Sequence, residues 1–264
     1  MIGLGSYAFF WQHSEKNPTP MTLVEAFRAT KELGVELFQI CDYEPLLEMN
    51  QTQLEAAAAE ARALGLAIEL GTKGIEREHL EVFLNLAKIF DAKLIRSMVY
   101  SPTSRPTPAE ALDSLKAAMP RFEAAGVTLA LETYEQLATY ELVNLVDQVG
   151  SPNLGICLDP ANVVARFENP KECVEATVPL VKNVHVKDFA FSRQDGWVGF
   201  TYSGAAMGTG SHDYQHLLSA VKPRERGINE IVEHWLPWQG NIAKTVELEK
   251  AWTLKTIEYL RSTN

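Results

Sequence analysis

Short apolar runs alternate with longer amphipathic stretches along almost the whole chain. Eight runs have the composition of buried strands: Ile2–Tyr7, Val35–Ile40, Ala67–Leu70, Leu94–Met98, Thr128–Glu132, Leu154–Asp159, Val184–Lys187 and Ile228–Glu233. The stretches between them have the hydrophobic period of helices that bury one face. Strands that alternate strictly with helices predict a parallel sheet whose strands are joined by helical crossovers.

The predicted helices carry start and stop signals. Thr22 with Glu25, and Thr107 with Glu110, have the spacing of capping boxes, in which a hydroxyl accepts from a first-turn amide and a carboxylate reaches back. Glycines such as Gly126 end helices where a left-handed residue is favourable. Eight βα units in 264 residues predict a closed (β/α)8 TIM barrel, an α/β fold that forms a single domain over residues 1–264.

An open, doubly wound sheet is the alternative to the barrel. That architecture usually has a glycine-rich phosphate loop after an early strand, but no third glycine follows Gly3-Leu-Gly5 at the required spacing. The longest stretch without clear periodicity runs from Phe189 to Gly210 and contains Trp197 and Phe200. Long loops in compact domains are often lids or binding loops, so we expect an irregular loop here.

The charge balance and the cysteines narrow the class of protein. The chain has 24 Lys and Arg against 34 Asp and Glu, a formal net charge of −10, which argues against a nucleic-acid partner. Three cysteines without CxxC spacing fit a reducing compartment. The apolar N-terminus lacks the features of a signal peptide, and no apolar run approaches the roughly 18 residues of a membrane span. We therefore expect a soluble, cytoplasmic protein without a membrane partner.

Four polar residues end consecutive apolar runs in the second half of the chain. Glu132, Asp159 and Glu233 are carboxylates, and His185 lies in the run between the last two. The C-terminal ends of barrel strands meet at the active-site face, where three carboxylates and an imidazole would repel one another without a cation. Oxygen-rich ligands with one imidazole suit Mn²⁺ or Mg²⁺, with Co²⁺ also possible. Lys187 shares a strand face with His185, so it should point into the same cavity.

Several segments around these residues resemble a known superfamily. They are Leu129-Ala-Leu-Glu132, Asp159-Pro-Ala-Asn162, His185-Val-Lys-Asp188, Gly208-Thr-Gly210 and Glu233. Together they resemble the xylose isomerase-like TIM-barrel superfamily (the sugar phosphate isomerase/epimerase family), and the resemblance covers nearly the whole chain. It implies that one divalent cation is held by Glu132, Asp159, His185 and Glu233.

The resemblance implies a metal-dependent sugar isomerase or epimerase that acts on a keto-sugar or sugar derivative through an enediolate. In this mechanism Glu132 and Glu233 lie on opposite faces of the substrate, where they remove and return a proton. The implied partner is a small-molecule carbohydrate. Members of the superfamily are often homodimers or homotetramers, so either state is expected by analogy.

A lyase on the same scaffold is the alternative, either a decarboxylase of a 3-oxo sugar acid such as 3-oxo-isoapionate or an inosose-type dehydratase. Loss of CO2 next to a ketone also produces an enediolate. Asn162 stands where many family epimerases have a histidine, and an amide does not titrate near pH 7. A nuclease like the endonuclease four group is disfavoured. That group uses many histidines as metal ligands, whereas only one of the six histidines here, His185, clearly ends a strand beside other ligands.

Six further residues are candidates for substrate binding: Asn162, Lys187, Arg193, Arg96, His13 and Trp11. The three cations among them suit a carboxylate or phosphate group. For Arg96, side-chain alternation leaves both the barrel interior and the helix layer open. His13 and Trp11 follow the first strand, so we expect them on the active-site face. There they would either form an aromatic wall beside the substrate or take part in ordinary loop packing.

Overall fold

The structure is a computed structural model that describes residues 1–263. Its strands are β1 (Ile2–Gly5), β2 (Leu37–Cys41), β3 (Ala67–Gly71), β4 (Leu94–Ser97), β5 (Thr128–Glu132), β6 (Leu154–Leu158), β7 (Val181–Val186), β8 (Asp188–Arg193), β9 (Phe200–Ala205) and β10 (Asn229–Val232). Its helices are α1 (Phe10–His13), α2 (Leu23–Glu32), α3 (Pro45–Glu48), α4 (Gln51–Ala63), α5 (Arg77–Phe90), α6 (Pro108–Ala125), α7 (Thr139–Val149), α8 (Pro170–Thr177), α9 (Tyr214–Val221) and α10 (Ile242–Ser262).

The predicted barrel is confirmed. Eight parallel strands close into a ring in the order β1-β10-β7-β6-β5-β4-β3-β2. The predicted capping boxes are present at Thr22 and Thr107, and Gly126 ends α6 in the left-handed conformation with φ of 63°. Local capping and the strand periodicity therefore agree with the global fold.

Alternation along each strand separates the helix-facing core from the barrel interior. Phe38 of β2 packs edge-on against Phe27 of α2 with ring centroids 5.5 Å apart, and both are fully buried. Burying an aromatic side chain of this kind contributes roughly 1.5–3 kcal/mol. The next residue, Gln39, is also fully buried but contacts polar side chains of other strands. The sheet thus packs apolar groups outward and holds polar groups inside.

The irregular loop expected from Phe189 to Gly210 is largely a β-hairpin, so that prediction was wrong. β8 and β9 pair antiparallel from Asp188 opposite Ala205 to Arg193 opposite Phe200. Phe189 and Tyr202 pack together with ring centroids 5.4 Å apart. These aromatic positions stabilise two paired strands, and the glycines between them hid the pattern.

The hairpin packs directly on the segment that follows β10. The Gly204 amide donates to the Trp235 carbonyl at 3.1 Å, and a Cβ at Gly204 would come within 2.6 Å of that oxygen. Only glycine permits this approach. Beyond the hairpin, the Asp188 carboxylate accepts from the amides of Gly208 and Gly210 at 2.9 and 2.8 Å. The Gly-Thr-Gly element therefore anchors the chain as it returns to the barrel.

Within residues 1–263, no helix has both the length and the apolar character that crossing a membrane requires.

Candidate metal centre

Four adjacent barrel strands bring the predicted ligands together. Glu132 is the last residue of β5, Asp159 follows β6, His185 lies near the end of β7, and Glu233 follows β10. These strands are neighbours in the barrel. One ligand atom from each residue lies within 4.8 Å of all the others, and all four side chains are buried.

The imidazole of His185 lies at the centre of the three carboxylates. Its Nδ1 is 3.2 Å from Glu132 Oε1, 3.3 Å from Glu233 Oε1 and 3.9 Å from Asp159 Oδ2. Its other nitrogen, Nε2, is 2.9 Å from Gln39 Oε1. The Nδ1 edge of the ring therefore meets the three carboxylates, and the Nε2 edge contacts Gln39 in the barrel interior.

These residues fit a divalent metal ion. Oε1 of Glu233 is buried and receives no hydrogen bond from the described part of the chain. A buried carboxylate oxygen without a donor is costly unless a cation satisfies it. Three carboxylates and one imidazole are the hard, oxygen-rich donors that suit Mg²⁺, Mn²⁺ or Co²⁺. A metal ion in this position would be held by Glu132, Asp159, His185 and Glu233.

Two buried cations of the chain contact the candidate ligands. Lys187 Nζ lies 2.6 Å from Asp159 Oδ2 and 3.0 Å from Glu233 Oε2, and the Trp235 ring lies 4.5 Å away from it. Arg96 pairs with Glu132 Oε2 and with Asp42, so its side chain points into the barrel interior. The structure thereby decides the orientation of Arg96 that side-chain alternation left open.

Burial and neighbouring charges set the protonation of these groups. Burial alone raises the pKa of Glu132, but Arg96 beside it holds the pKa below its usual value. Burial raises the pKa of Asp159, and Lys187 opposes that effect. Burial lowers the pKa of Lys187, yet Asp159 and Glu233 raise it above its usual value. Lys187 is therefore a permanent cation at neutral pH.

Asn162 lies beside a ligand and lines a small cavity. Its Nδ2 donates to Glu132 Oε1 at 2.9 Å and to the Thr133 carbonyl at 3.1 Å. The cavity, of about 220 Å³, is lined by Asn162 together with Glu132, Glu233, Arg96 and Lys187, and we call it the reaction cavity. A cavity of this size above the candidate ligands suits a small carbohydrate derivative.

His13 and Trp11 lie at neighbouring cavities on the same face of the barrel. His13 lines a cavity of about 390 Å³ that shares Tyr7 and Asp42 with the reaction cavity, and its Nδ1 lies 2.7 Å from the Met21 carbonyl. Trp11 lines a third cavity, and its indole donates to the Leu236 carbonyl at 2.8 Å. The hydrogen bonds of both side chains are therefore to backbone carbonyls of loops.

Arg193, another predicted substrate contact, also lies away from the metal centre. It ends β8, is exposed, and lies over Phe200 at 4.5 Å and over Trp197 at 5.6 Å. The guanidinium of Arg193 therefore contacts aromatic rings of the hairpin. The pairing of β8 with β9 directs Arg193 away from the barrel. The structure therefore does not bring Arg193 together with Arg96, Lys187 and Asn162.

Sequence reasoning missed several residues that line the reaction cavity. Tyr7, Asp42, Lys73, Tyr134 and Trp235 all face it. Each follows a barrel strand by one to three positions, and the loops after strands form the active face of this fold. Their positions relative to the strand ends were therefore the available signal.

The fold and site define a class of protein. The chain belongs to the xylose isomerase-like TIM barrel family, because the model of that family matches residues 27–263. The resemblance inferred from the sequence is thus confirmed.

Particular relatives can be compared over nearly the full length. The chain is 48% identical over 263 residues to a 3-oxo-isoapionate decarboxylase of Pectobacterium atrosepticum. This match covers 100% of the present chain and 96% of the relative. It is similar to a solved D-psicose 3-epimerase with D-tagatose from Clostridium cellulolyticum, with a TM-score of 0.75, 13% identity and coverage of 99% and 98%. It is also similar to a xylose isomerase-like TIM barrel protein from Mycobacterium smegmatis in complex with magnesium, with a TM-score of 0.69, 15% identity and coverage of 97% and 96%. At these identities the two structures show the fold alone.

Proposed function

We propose that the protein is a divalent-metal-dependent decarboxylase of a 3-oxo sugar acid, with 3-oxo-isoapionate as the first substrate to test. The single observation that carries the proposal in the structure is the pair of buried cations, Lys187 and Arg96, that contacts the metal-ligand carboxylates. The 48% identity to a 3-oxo-isoapionate decarboxylase over the whole chain supports the same reaction. This was the alternative in the sequence analysis, and it is now preferred to the isomerase or epimerase.

The charges around the cavity favour an acidic substrate. The ion-paired cluster has four carboxylates and three cations, and its members are Asp42, Glu132, Asp159, Glu233, Lys73, Arg96 and Lys187. Its net charge is therefore −1, which a divalent ion changes to +1. A substrate with one carboxylate neutralises this charge, whereas a neutral ketose leaves it uncompensated in a buried site.

A divalent cation held by Glu132, Asp159, His185 and Glu233 would supply Lewis-acid chemistry, because such an ion polarises a carbonyl oxygen and its neighbouring hydroxyl. Lys187 and Arg96 are the groups of the chain that bind the substrate carboxylate, and Trp235 shields the Lys187 ammonium from water. Asn162 holds Glu132 in place through its hydrogen bond of 2.9 Å. These contacts orient the acid before the reaction begins.

In the reaction, the bond between C2 and the carboxyl carbon breaks and CO2 leaves. Its electron pair moves to the C3 ketone oxygen, which gives an enediolate when C2 carries a hydroxyl. One proton then adds to C2, from water through Glu132 or Glu233, and yields a ketose one carbon shorter. An epimerase needs one group to remove a proton and a second group to return it on the opposite face, whereas a decarboxylase only has to deliver a proton.

The identity of the metal ion, the alternative dehydratase reaction and the oligomeric state are also proposals. Mn²⁺ and Mg²⁺ are the preferred ions, with Co²⁺ possible, because the donor set is rich in oxygen. An inosose-type dehydratase would use the same metal centre but releases water, so its products distinguish it. A homodimer or homotetramer stays a prediction by analogy, and light scattering of the purified chain measures it.

The test uses 3-oxo-isoapionate labelled with ¹³C in its carboxyl group. We expect labelled CO2 or bicarbonate to form well above the spontaneous rate of this β-keto acid only with protein and a divalent metal, and at the spontaneous rate after chelation. The panel includes ketoses and inososes under the same conditions. Turnover of a ketose or an inosose, with the labelled acid left intact, would reject the decarboxylase in favour of an isomerase or a dehydratase.

A further inference from the structure

A layer of polar side chains crosses the barrel interior beneath the metal centre. Gln39 lies opposite Glu69 in the register of β2 and β3, and Asn183 lies opposite Asn229 in that of β7 and β10. We call these four residues the interior polar layer. Gln39 and Asn183 are fully buried, as is His185 above them.

The hydrogen bonds of this layer determine which way the Gln39 amide points. Glu69 Oε2 accepts from Gln39 Nε2 at 3.1 Å and from Asn183 Nδ2 at 3.0 Å. Glu69 Oε1 accepts from Asn229 Nδ2 at 2.6 Å. With these donors on both oxygens, the carboxylate requires the amino group of Gln39 to face it. The amide oxygen of Gln39 is consequently turned towards His185.

This orientation determines which nitrogen of His185 carries the proton. Gln39 Oε1 is 2.9 Å from His185 Nε2 and can only accept, so Nε2 must be protonated. A neutral imidazole has one such proton, which leaves the lone pair on Nδ1. That lone pair faces Glu132 Oε1 and Glu233 Oε1 at 3.2 and 3.3 Å. Two arrangements are favourable here: a second proton on Nδ1 shared with Glu132 Oε1, or a metal cation that takes the place of that proton.

We infer that Gln39 is a positioning residue, held by Glu69, that keeps the His185 proton on Nε2 and presents Nδ1 to the metal. The inference rests on the metal centre of the proposed function but is independent of the substrate. A hydrogen-bond acceptor behind a metal-binding histidine fixes its ring orientation and raises its basicity. Loss of such a partner weakens metal binding about 10- to 100-fold.

Three variants separate this role from a merely structural one. Gln39→Leu removes the acceptor at nearly constant volume, so we expect the dissociation constant for Mn²⁺ to rise about 10- to 100-fold. The double variant Gln39→Glu with Glu69→Gln exchanges the two groups and keeps an acceptor behind Nε2, so it should return the constant to within a few-fold of wild type. Gln12→Leu is the matched control, because Gln12 is buried and donates to Glu249 at 3.1 Å outside the metal centre.

Two measurements provide the readout, and neither uses activity. Mn²⁺ binding at fixed pH is followed by the electron paramagnetic resonance signal of the free ion. Histidine side-chain ¹H–¹⁵N spectra of the metal-free and Mg²⁺-loaded protein detect the Nε2 proton, which His185→Gln assigns. We expect a hydrogen-bonded Nε2 proton in the wild type and the double variant, and its loss or a large shift in Gln39→Leu.

Each outcome has a distinct meaning. If Gln39→Leu lowers stability as Gln12→Leu does but leaves both the Mn²⁺ constant and the Nε2 resonance unchanged, the positioning role is wrong. If the wild type does not bind Mn²⁺, the metal centre of the proposed function fails. The Nε2 resonance still tests the hydrogen bond in that case, because a signal that survives Gln39→Leu contradicts the inference by itself.

Discussion

The ammonium nitrogen of Lys187 lies 2.6 Å from Oδ2 of Asp159, one of the four candidate metal ligands. A cation of the chain thus contacts a carboxylate that would also bind a metal cation. Like charges at such short range weaken each other's binding. The placement therefore lowers metal affinity, and in return it adds the positive charge that an acidic substrate needs.

Lys187→Met tests whether Lys187 lowers metal affinity and favours an acidic substrate. The variant keeps much of the packing on Trp235 but loses the charge, so Mn²⁺ should bind several-fold more tightly. A hydrogen bond to a charged group contributes about 1.5–3 kcal/mol, so kcat/KM for the 3-oxo acid should fall about 10- to 100-fold. Lys182→Met is the matched control, because Lys182 is exposed on the same strand. Weaker Mn²⁺ binding, or unchanged kcat/KM, would contradict the assigned role.

Asn162→Asp replaces a donor to Glu132 with a carboxylate of almost the same shape. The contact of 2.9 Å then becomes repulsive, and the Thr133 carbonyl also loses its donor. We expect kcat/KM to fall at least about 10-fold at saturating metal, since a lost charge-assisted hydrogen bond costs about 1.5–3 kcal/mol. Asn153→Asp is the control, because Asn153 donates to the Val127 carbonyl instead. Equal effects of the two variants on kcat/KM would show that the first acts only through stability.

Arg193→Met should leave catalysis almost unchanged. Its guanidinium lies over Phe200 and Trp197 on the hairpin, away from the reaction cavity. We therefore expect kcat/KM within about two-fold of wild type, because surface substitutions usually change free energies by under about 0.5 kcal/mol. Steady-state kinetics with the 3-oxo acid measures this. A fall of 10-fold or more would restore Arg193 to the substrate-binding group.

Glu249 should give the folded protein a measurable pH dependence. Its fully buried carboxyl group accepts from the Trp11 amide at 2.7 Å and from the Gln12 amide at 3.2 Å. Burial raises the pKa of Glu249 to about 7 from its usual 4.5. At a pH between these two pKa values, the Glu249 carboxyl group keeps its proton in the folded state but has lost it in the unfolded state. The free energy of unfolding therefore falls as the pH rises through that window, by on the order of 3 kcal/mol in total.

Urea unfolding of wild type and Glu249→Gln between pH 4.5 and 7.5 measures this effect. The difference between their free energies of unfolding should change steadily across the window, because the variant has no proton to lose there. Glu258→Gln, on the exposed side of the same helix, should follow the wild type. A constant difference between wild type and Glu249→Gln would mean that Glu249 has the same pKa in both states.

The barrel and the ligand group could be predicted because both follow from strand patterns. Glu132, Asp159, His185 and Glu233 mark the C-terminal part of four successive apolar runs, and closure of the barrel brings such positions together. Arg96 could not be oriented in the same way. Both faces of a parallel strand are buried, so alternation alone does not separate the interior from the helix layer.

The interior polar layer was missed for a related reason. Gln39 and Glu69 interrupt the apolar pattern of their predicted strands, and Asn183 lies just before the predicted run Val184–Lys187, so none of the three was singled out. Their register supplies the missing signal, because Asn183 lies two residues before His185 and so shares its face. The hairpin was missed because its aromatic residues are separated by glycines, and its pairing depends on contacts with Trp235 after β10.

The most direct measurement follows carboxyl-labelled 3-oxo-isoapionate by NMR in D2O, with the protein, Mg²⁺ and a ketose in one tube. We expect labelled bicarbonate and a shortened ketose that carries one deuterium at the carbon that lost CO2, with no isomer of the added ketose. Metal-stripped protein should form both products only at the spontaneous rate of the 3-oxo acid. An unchanged acid, together with deuterium exchange and isomerisation of the added ketose, would contradict the account and return the protein to the isomerases.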